Sequence, residues 1–183
     1  MQRVWMYLEP IFGSEDIMRQ LPTEARRFND VDKLWRSTMK ATEEDPVFIS
    51  QAEPSKQLVK KMQDANEKLD KIQKGLSDYL EMKRLYFPRF FFLADEQMLE
   101  ILSQSKEPRA VQPHLGKCFE GLNTIKFEKD LKITQMISPE GERVDLTTPI
   151  DPESGPNKGN VEKWLLELEG LQWVSVRRQV ELA

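Results

Sequence analysis

The sequence predicts a mainly α-helical fold: an elongated helical bundle with one long helix and a small antiparallel β-hairpin or three-stranded meander. Apolar residues recur at helical spacing over most of the chain, but near residues 125–149 they alternate with polar ones. Charged residues make up 32% of the 183 and hydrophobic residues 39%, a composition typical of a globular protein with a hydrated surface. We predict a helical subdomain over residues 1–124 and a β-hairpin followed by a helix over residues 125–183.

Three helical segments are expected before residue 47. The first ends at Gly13, and Ser14 can cap a short turn through Gln20. Pro22 suits the first turn of a longer helix, which the acidic residues before Pro46 bring to an end. The residues expected to face inward are Val4, Trp5, Leu8, Ile11, Phe12, Phe28, Val31, Trp35 and Met39.

The strongest local signal is a long amphipathic helix from about Pro54 to Tyr86. Its apolar positions advance in alternating steps of four and three, up to Lys83: Leu58, Met62, Ala65, Leu69, Ile72, Leu76 and Tyr79. Pro88 must end it, because the residue before proline is pushed out of helical conformation. A helix packed in a bundle fits this pattern better than a self-associating coiled coil, since the stripe contains Gly75 and covers only about four heptads.

Residues 87–93 predict a stiff corner after this helix. Four apolar residues, 90–93, indicate a short buried strand or an extended turn whose aromatic side chains fix the exit direction. Asp95 can cap the next helix, with Met98, Leu99 and Leu102 inward. Either Pro108 or Pro113 begins a further helix, whose inward residues are Val111 or Leu115, then Phe119 and Leu122.

The β element is predicted from three alternating runs. These are Ile125 and Phe127; Leu131, Ile133, Gln135 and Ile137; and Val144, Leu146 and Thr148. Residues 138–141 form the turn between the second and third runs. Residues 151–160, with two prolines and two glycines, read as a loop. A final helix, still running at residue 183, places Val161, Trp164, Leu165, Leu168 and Leu171 on one face.

We expect no catalytic, cofactor-binding or metal-binding residues in this chain. The segment 155–159 contains glycine and lysine but not the Lys-Ser/Thr ending of a phosphate loop. His114 and Cys118 form an i, i+4 pair, for which a structural histidine and a small buried thiol are the favoured interpretations over a nucleophilic pair. One cysteine favours a reducing compartment and one histidine cannot build a usual zinc site.

Partner classes are also limited by composition. The net charge of −4 argues against nucleic-acid binding, which needs clustered Lys and Arg. No apolar run approaches 18 residues, so we predict no membrane span. The four tryptophans and residues 90–92 are expected mainly in the core, and any left exposed would mark a docking surface. The uncapped first stripe and the running last helix suggest a fragment of a longer protein.

A set of segments spread over nearly the whole chain carries a further signal: residues 4–12, 14–17, 28, 31–32, 35–36, 72–76, 79–81, 83–84, 87–93, 99–103, 111–115, 118–120, 140–142 and 161–165. In order and with plausible spacing, these segments resemble the linker region of dynein heavy chains. Residues 92–93 and 112–114 look more axonemal than cytoplasmic.

This resemblance implies a mechanical role. The linker is a helical rod that bends and straightens as the AAA+ ATPase ring cycles, and so converts ring changes into movement along microtubules. It implies an intramolecular partner, the ring of the same heavy chain, with ATP and Mg²⁺ bound there and no cofactor in this fragment. It also implies a cytoplasmic, cytoskeletal location, with the axoneme of a cilium or flagellum favoured. The alternative hypothesis is a free-standing helical adaptor that binds partners through exposed aromatic residues.

Overall fold

The structure, a computed structural model, describes residues 1–47 and 57–182. The chain divides into two compact units, Met1–Tyr79 and Leu80–Ala183. In the described residues, helices dominate and one three-stranded antiparallel sheet is present, so the predicted mainly α fold with a small meander is confirmed. The division into residues 1–124 and 125–183 stays a prediction.

The first unit contains α1 (Gln2–Phe12), α2 (Glu15–Gln20), α3 (Pro22–Glu44) and most of α4 (Leu58–Tyr86). Its core includes the inward residues of all four helices: Leu8, Phe12, Ile17, Ala25, Phe28, Val31, Ala65, Leu69, Ile72, Leu76 and Tyr79. The Phe12 and Phe28 rings stack with their centroids 5.3 Å apart. The apolar stripes read from the sequence therefore do form this core.

Two predictions for α3 and α4 need qualification. The predicted inward face of α3 does not extend to its end, because Trp35 is half-buried and Met39 is exposed. Trp35 packs instead against Trp5, with ring centroids 5.9 Å apart. The end of α4 at Tyr86 is confirmed, whereas its predicted start at Pro54 lies outside the described residues.

The second unit begins with the end of α4 and a 3₁₀ turn, Pro88–Phe92. It continues with α5 (Asp95–Ser103), a second 3₁₀ turn (Pro108–His114) and α6 (Leu115–Cys118). Both proline-initiated alternatives are thus realised, one as a 3₁₀ turn from Pro108 and the other as the short α6 after Pro113. The expected inward residues Met98, Leu99, Leu102, Val111, Leu115, Phe119 and Leu122 are all buried.

The sheet follows as β1 (Thr124–Phe127), β2 (Ile133–Ile137) and β3 (Arg143–Ile150), in that order. The predicted turn closes through Gly141 N–H donating to Ser138 O, and Gly141 has φ +89°, a region that glycine adopts at low cost. After a 3₁₀ turn at Gly155–Asn157, α7 (Val161–Leu182) ends the described chain.

The alternation predicted for β2 is wrong beyond Ile133. Lys126 pairs with Gln135 while Phe127 pairs with Ile133, so β2 carries an extra residue at this point. Such a bulge reverses which residues face inward. Met136 is consequently buried beside Ile133, in place of the predicted Gln135.

Candidate functional site: the corner after the long helix

The chain turns sharply where α4 ends. Phe87 leaves the helical conformation (φ −126°, ψ 92°), as expected of a residue before proline, and its N–H still donates to Lys83 O. A 3₁₀ turn follows at Pro88–Phe92, and Leu93 is again extended. The predicted corner therefore exists, but residues 90–93 form neither a strand nor an extended segment over their whole length.

Three apolar side chains anchor the corner. Phe87 and Phe90 are fully buried and Leu93 nearly so. The Phe87 and Phe90 rings meet edge to face, with centroids 5.0 Å apart. The centroid of the Phe87 ring also lies 6.0 Å from that of Phe119, which follows α6. Aromatic pairs at such separations add specific geometry to their burial. These contacts fix the exit direction within the second unit.

The next two phenylalanines point the other way, contrary to the prediction that the aromatic run is buried. Phe91 is 60% exposed and Phe92 69% exposed. A 3₁₀ turn has three residues per turn, so residues three apart lie on one side and the residues between them face outward. Phe87, Phe90 and Leu93 share the inner side, which leaves Phe91 and Phe92 on the outer side.

The end of α4 also presents apolar residues to solvent. Met82, Leu85 and Tyr86 are exposed and lie at i, i+3 and i+4, on one side of the helix. Together with Phe91 and Phe92 they are called here the corner surface. Large exposed apolar residues concentrated in one short segment mark interaction sites more often than scattered ones do.

Three basic residues tie this corner to the rest of the second unit. Lys83 forms an ion pair with Glu162 at the start of α7, and both side chains are largely buried. Glu162 Oε2 makes no hydrogen bond within the described residues. A buried charge of this kind depends on its partner, because breaking the pair leaves an uncompensated charge in a poorly solvated place.

Arg84 fixes the start of α5. Its guanidinium donates to Leu93 O at 3.2 Å and to Asp95 Oδ1 at 2.6 Å. It also lies 6.0 Å from the centroid of the Phe91 ring. The prediction that Asp95 caps α5 is wrong, because Ala94 occupies the N-cap position and the Gln97 side chain accepts its N–H. Asp95 in the first turn still suits the helix dipole.

Arg89 makes the third set of contacts. Its guanidinium donates to Glu169 Oε1 on α7 at 2.8 Å and to Cys118 O at 3.0 Å. It also lies 4.9 Å from the centroid of the Phe119 ring. Arg89 therefore links the 3₁₀ turn to both α6 and α7.

His114 and Cys118 are both buried. His114 is buried, and its Nε2 lies 3.2 Å from Glu100 Oε2. Burial raises the pKa of the Cys118 thiol to about 11, so this thiol stays protonated and weakly nucleophilic at neutral pH. The structure thus favours the structural interpretation of both residues.

In the described ranges, 1–47 and 57–182, no group of three or more His, Cys, Asp or Glu residues could hold a metal ion. No helix in those ranges is both long and apolar enough to cross a bilayer. Residues 155–159 lie in the loop between β3 and α7 and contain a one-turn 3₁₀ segment, Gly155–Asn157.

Sequence reasoning missed part of the corner surface and the two acidic partners of the corner on α7. Met82, Leu85 and Tyr86 could have been found, because they lie off the inward stripe of α4 that passes through Leu76, Tyr79 and Lys83. Glu162 and Glu169 carried no local signal, since they are 79 and 80 residues from Lys83 and Arg89.

The family model described as dynein heavy chain, N-terminal region 2, matches residues 1–183. The chain is 50% identical over 182 residues to dynein axonemal heavy chain 1 of Mus musculus and to dynein axonemal heavy chain 12 of Homo sapiens. It is 48% identical to dynein axonemal heavy chain 3 of Homo sapiens. The alignments cover 99–100% of this chain but only 4–6% of those relatives.

Proposed function

This chain belongs to the dynein heavy chain family, N-terminal region 2, and from that premise we propose that it is a segment of the mechanical linker of an axonemal dynein motor. As part of a lever, it transmits movements of the AAA+ ring toward displacement along microtubules. Its partner is the ring of the same heavy chain, and its location is the cytoskeleton of a cilium or flagellum. It carries out no catalysis, and ATP and Mg²⁺ are bound in the ring.

The observation that supports this function most directly is the construction of the corner. Buried aromatic rings fix the direction in which the chain leaves α4. Three basic side chains connect the end of α4 and the 3₁₀ turn to α5, α6 and α7. Interiors packed in this way transmit strain because they have low compressibility. A segment that must carry force needs such a joint, whereas an enzyme needs a site for substrate.

The corner surface supports the proposal that this segment contacts a partner, the ring of the same heavy chain. Met82, Leu85, Tyr86, Phe91 and Phe92 offer rings and aliphatic chains of the kind that form the centres of protein interfaces. The relatives extend far beyond this segment, so the remaining polypeptide of the same heavy chain is a tethered candidate at high local concentration. We assign the ring as the partner that this surface contacts during part of the cycle.

The test uses an intact motor that contains this segment. Phe90→Leu keeps an apolar side chain but loosens the joint, and we expect gliding velocity to fall by a larger factor than basal ATP turnover. Val59→Ala, at an exposed position on α4 of the first unit, is the matched control and should change neither rate. Equal loss of both rates, or wild-type velocity from a folded Phe90→Leu motor, contradicts the lever function.

The absence of catalysis has its own test. Phosphate binding needs converging backbone N–H groups and a positioned cation. Calorimetry of the 183-residue chain with Mg-ATP is expected to show no binding, and micromolar affinity would contradict the proposal. An adaptor remains the second candidate, supported by the same corner surface. Phe92→Ser would then abolish capture of a separate protein and leave the velocity of the motor unchanged.

A further inference from the structure

The two carboxylates that meet the corner lie on one side of α7. Glu162 and Glu169 are seven residues apart, which is close to two helical turns and about 10 Å along the axis. Leu165 lies between them at i+3 from Glu162 and is fully buried. Two ion pairs and the apolar residue between them therefore form one line of contact along the first three turns of α7.

The cations opposite them lie on the corner, and Arg89 has further contacts there. Lys83 projects from the last turn of α4, and Arg89 follows Pro88 in the 3₁₀ turn. The guanidinium of Arg89 also donates to Cys118 O and lies over the Phe119 ring. The carboxylates of α7 thus bind cations that the last turn of α4 and the 3₁₀ turn present.

We propose that Lys83–Glu162 and Arg89–Glu169 form a two-point attachment that sets the direction of α7 relative to the last turn of α4. One contact leaves a helix free to tilt about that contact, whereas two contacts on the same side remove the tilt. The role of this attachment in a motor rests on the lever function proposed above. The attachment itself can be tested in the 183-residue chain.

The two ion pairs differ in burial, and this difference gives them different roles in the attachment. The Lys83 and Glu162 side chains are 13% and 6% exposed, so water cannot readily replace either partner. The Arg89 and Glu169 side chains are 30% and 28% exposed, so water can compete for them. Arg89–Glu169 is the attachment that opens first, and Lys83–Glu162 is the pivot that remains.

A third contact determines what moves with α7. Ser175 is buried on α7 and its Oγ accepts the N–H of Thr147 on β3 at 3.0 Å. This hydrogen bond connects the sheet to α7. With the pivot at Glu162, a displacement at Glu169 is magnified about twofold at Arg178, which lies further along the same helix.

Spin labels placed on the two helices test this attachment in the 183-residue chain. Glu81→Cys on α4 and Arg178→Cys on α7 provide exposed thiols, and the protonated, buried Cys118 remains unlabelled. Pulsed dipolar spectroscopy then gives the distribution of distances between the labels. Glu169→Ala should broaden this distribution, with a small change in the unfolding temperature.

Glu181→Ala is the matched control, because it removes an exposed pair with Arg177 that lies wholly within α7. The distribution should then match that of the wild type. Lys83→Met/Glu162→Leu replaces the pivot by apolar residues and should broaden the distribution while the chain stays folded. If this double variant does not fold, Glu169→Ala alone decides.

A Glu169→Ala distribution that superimposes on the wild type overturns the proposal, because apolar packing alone would then set the direction of α7. A broadened distribution supports it. In the intact motor, broadened distances with unchanged gliding velocity would leave the attachment standing and count against the lever function. The two proposals can therefore fail separately.

Discussion

Helix α4 carries two lysines that reach acidic residues on other helices, and their surroundings differ sharply. Lys68 pairs with Asp30 of α3 in the first unit at 3.0 Å, with side chains 42% and 62% exposed. Lys83 pairs with Glu162 of α7 in the second unit, where both side chains are largely buried. Two lysines of one helix thus pair with carboxylates in opposite surroundings, one hydrated and the other inside the packing.

This difference indicates which contacts specify each unit. In the first unit, the Phe12–Phe28 stack and the stripe of α4 position the helices, and exposed ion pairs add little to them. In the second unit, each member of the buried Lys83–Glu162 pair depends on the other, because removing one leaves an uncompensated charge in the packing. We therefore expect the corner to tolerate substitution poorly and the surface of the first unit to tolerate it well.

The largest effect is expected at the buried ring of the corner. Phe90→Ala removes a fully buried side chain and should cost about 3–5 kcal/mol of unfolding free energy, from the lost burial and the cavity that remains. Phe91→Ala, one residue later and 60% exposed, should cost less than about 0.5 kcal/mol. Chemical denaturation of both variants measures the contrast. Equal losses would show that Phe91 is buried in solution.

The second effect follows from unpairing the buried charge. Lys83→Met leaves Glu162 without its cation and should cost about 3 kcal/mol. Replacing both partners, as in Lys83→Met/Glu162→Leu, should recover most of that loss, because an apolar pair of similar volume needs no solvation. Thermal unfolding of the single and double variants tests this. A double variant as unstable as the single one would contradict the interpretation of Lys83–Glu162 as a desolvated pair.

A neutral contact in the second unit gives an intermediate effect. Gln112 reaches the open edge of β1, where its side chain donates to Ile125 O and accepts from Ile125 N at 2.6 and 3.1 Å. Both backbone groups face away from β2 and would otherwise lack a partner at a partly buried edge. Gln112→Ala should cost about 2 kcal/mol and accelerate exchange of the Ile125 amide hydrogen.

Gln135→Ala is the control for that variant. Gln135 also makes a 2.6 Å hydrogen bond on the sheet, but to the exposed side chain of Asp145, which water can solvate equally well. Its loss should be less than about 0.5 kcal/mol. If Gln112→Ala behaves like Gln135→Ala, the edge of β1 is adequately solvated without its side-chain partner.

The sequence predicts the fold better than it predicts the corner, for a physical reason. The end of α4 follows from Pro88, and the sheet follows from alternation and the turn at residues 138–141, all of which are local signals. The inner and outer sides of residues 90–92 depend on a 3₁₀ period of three, which a run of four apolar residues cannot reveal. The bulge in β2 similarly depends on its partner strands.

The resemblance identified the family, and the comparisons confirm it, but it did not identify the contacts of the corner. Lys83 is the last position of the stripe read from the sequence, and the structure places its side chain, 13% exposed, in an ion pair. Its partner, Glu162, lies in a different helix and is one of many acidic residues in the chain. Only the packed structure selects it, because pairing across such a separation depends on the tertiary fold.

The smallest effect is expected when the substitution made at Lys83 is repeated in the first unit. Lys68 lies in α4, as Lys83 does, and Lys68→Met makes the same replacement of lysine by a residue of similar helix propensity. Because the Lys68–Asp30 pair is exposed, Asp30 remains hydrated after the change, and the loss should be within about 0.5 kcal/mol. Adding 1 M salt should remove even that difference, since exposed pairs are screened. A loss comparable to that of Lys83→Met would mean that burial does not separate the two lysines, and the contrast between the units would have to rest on packing alone.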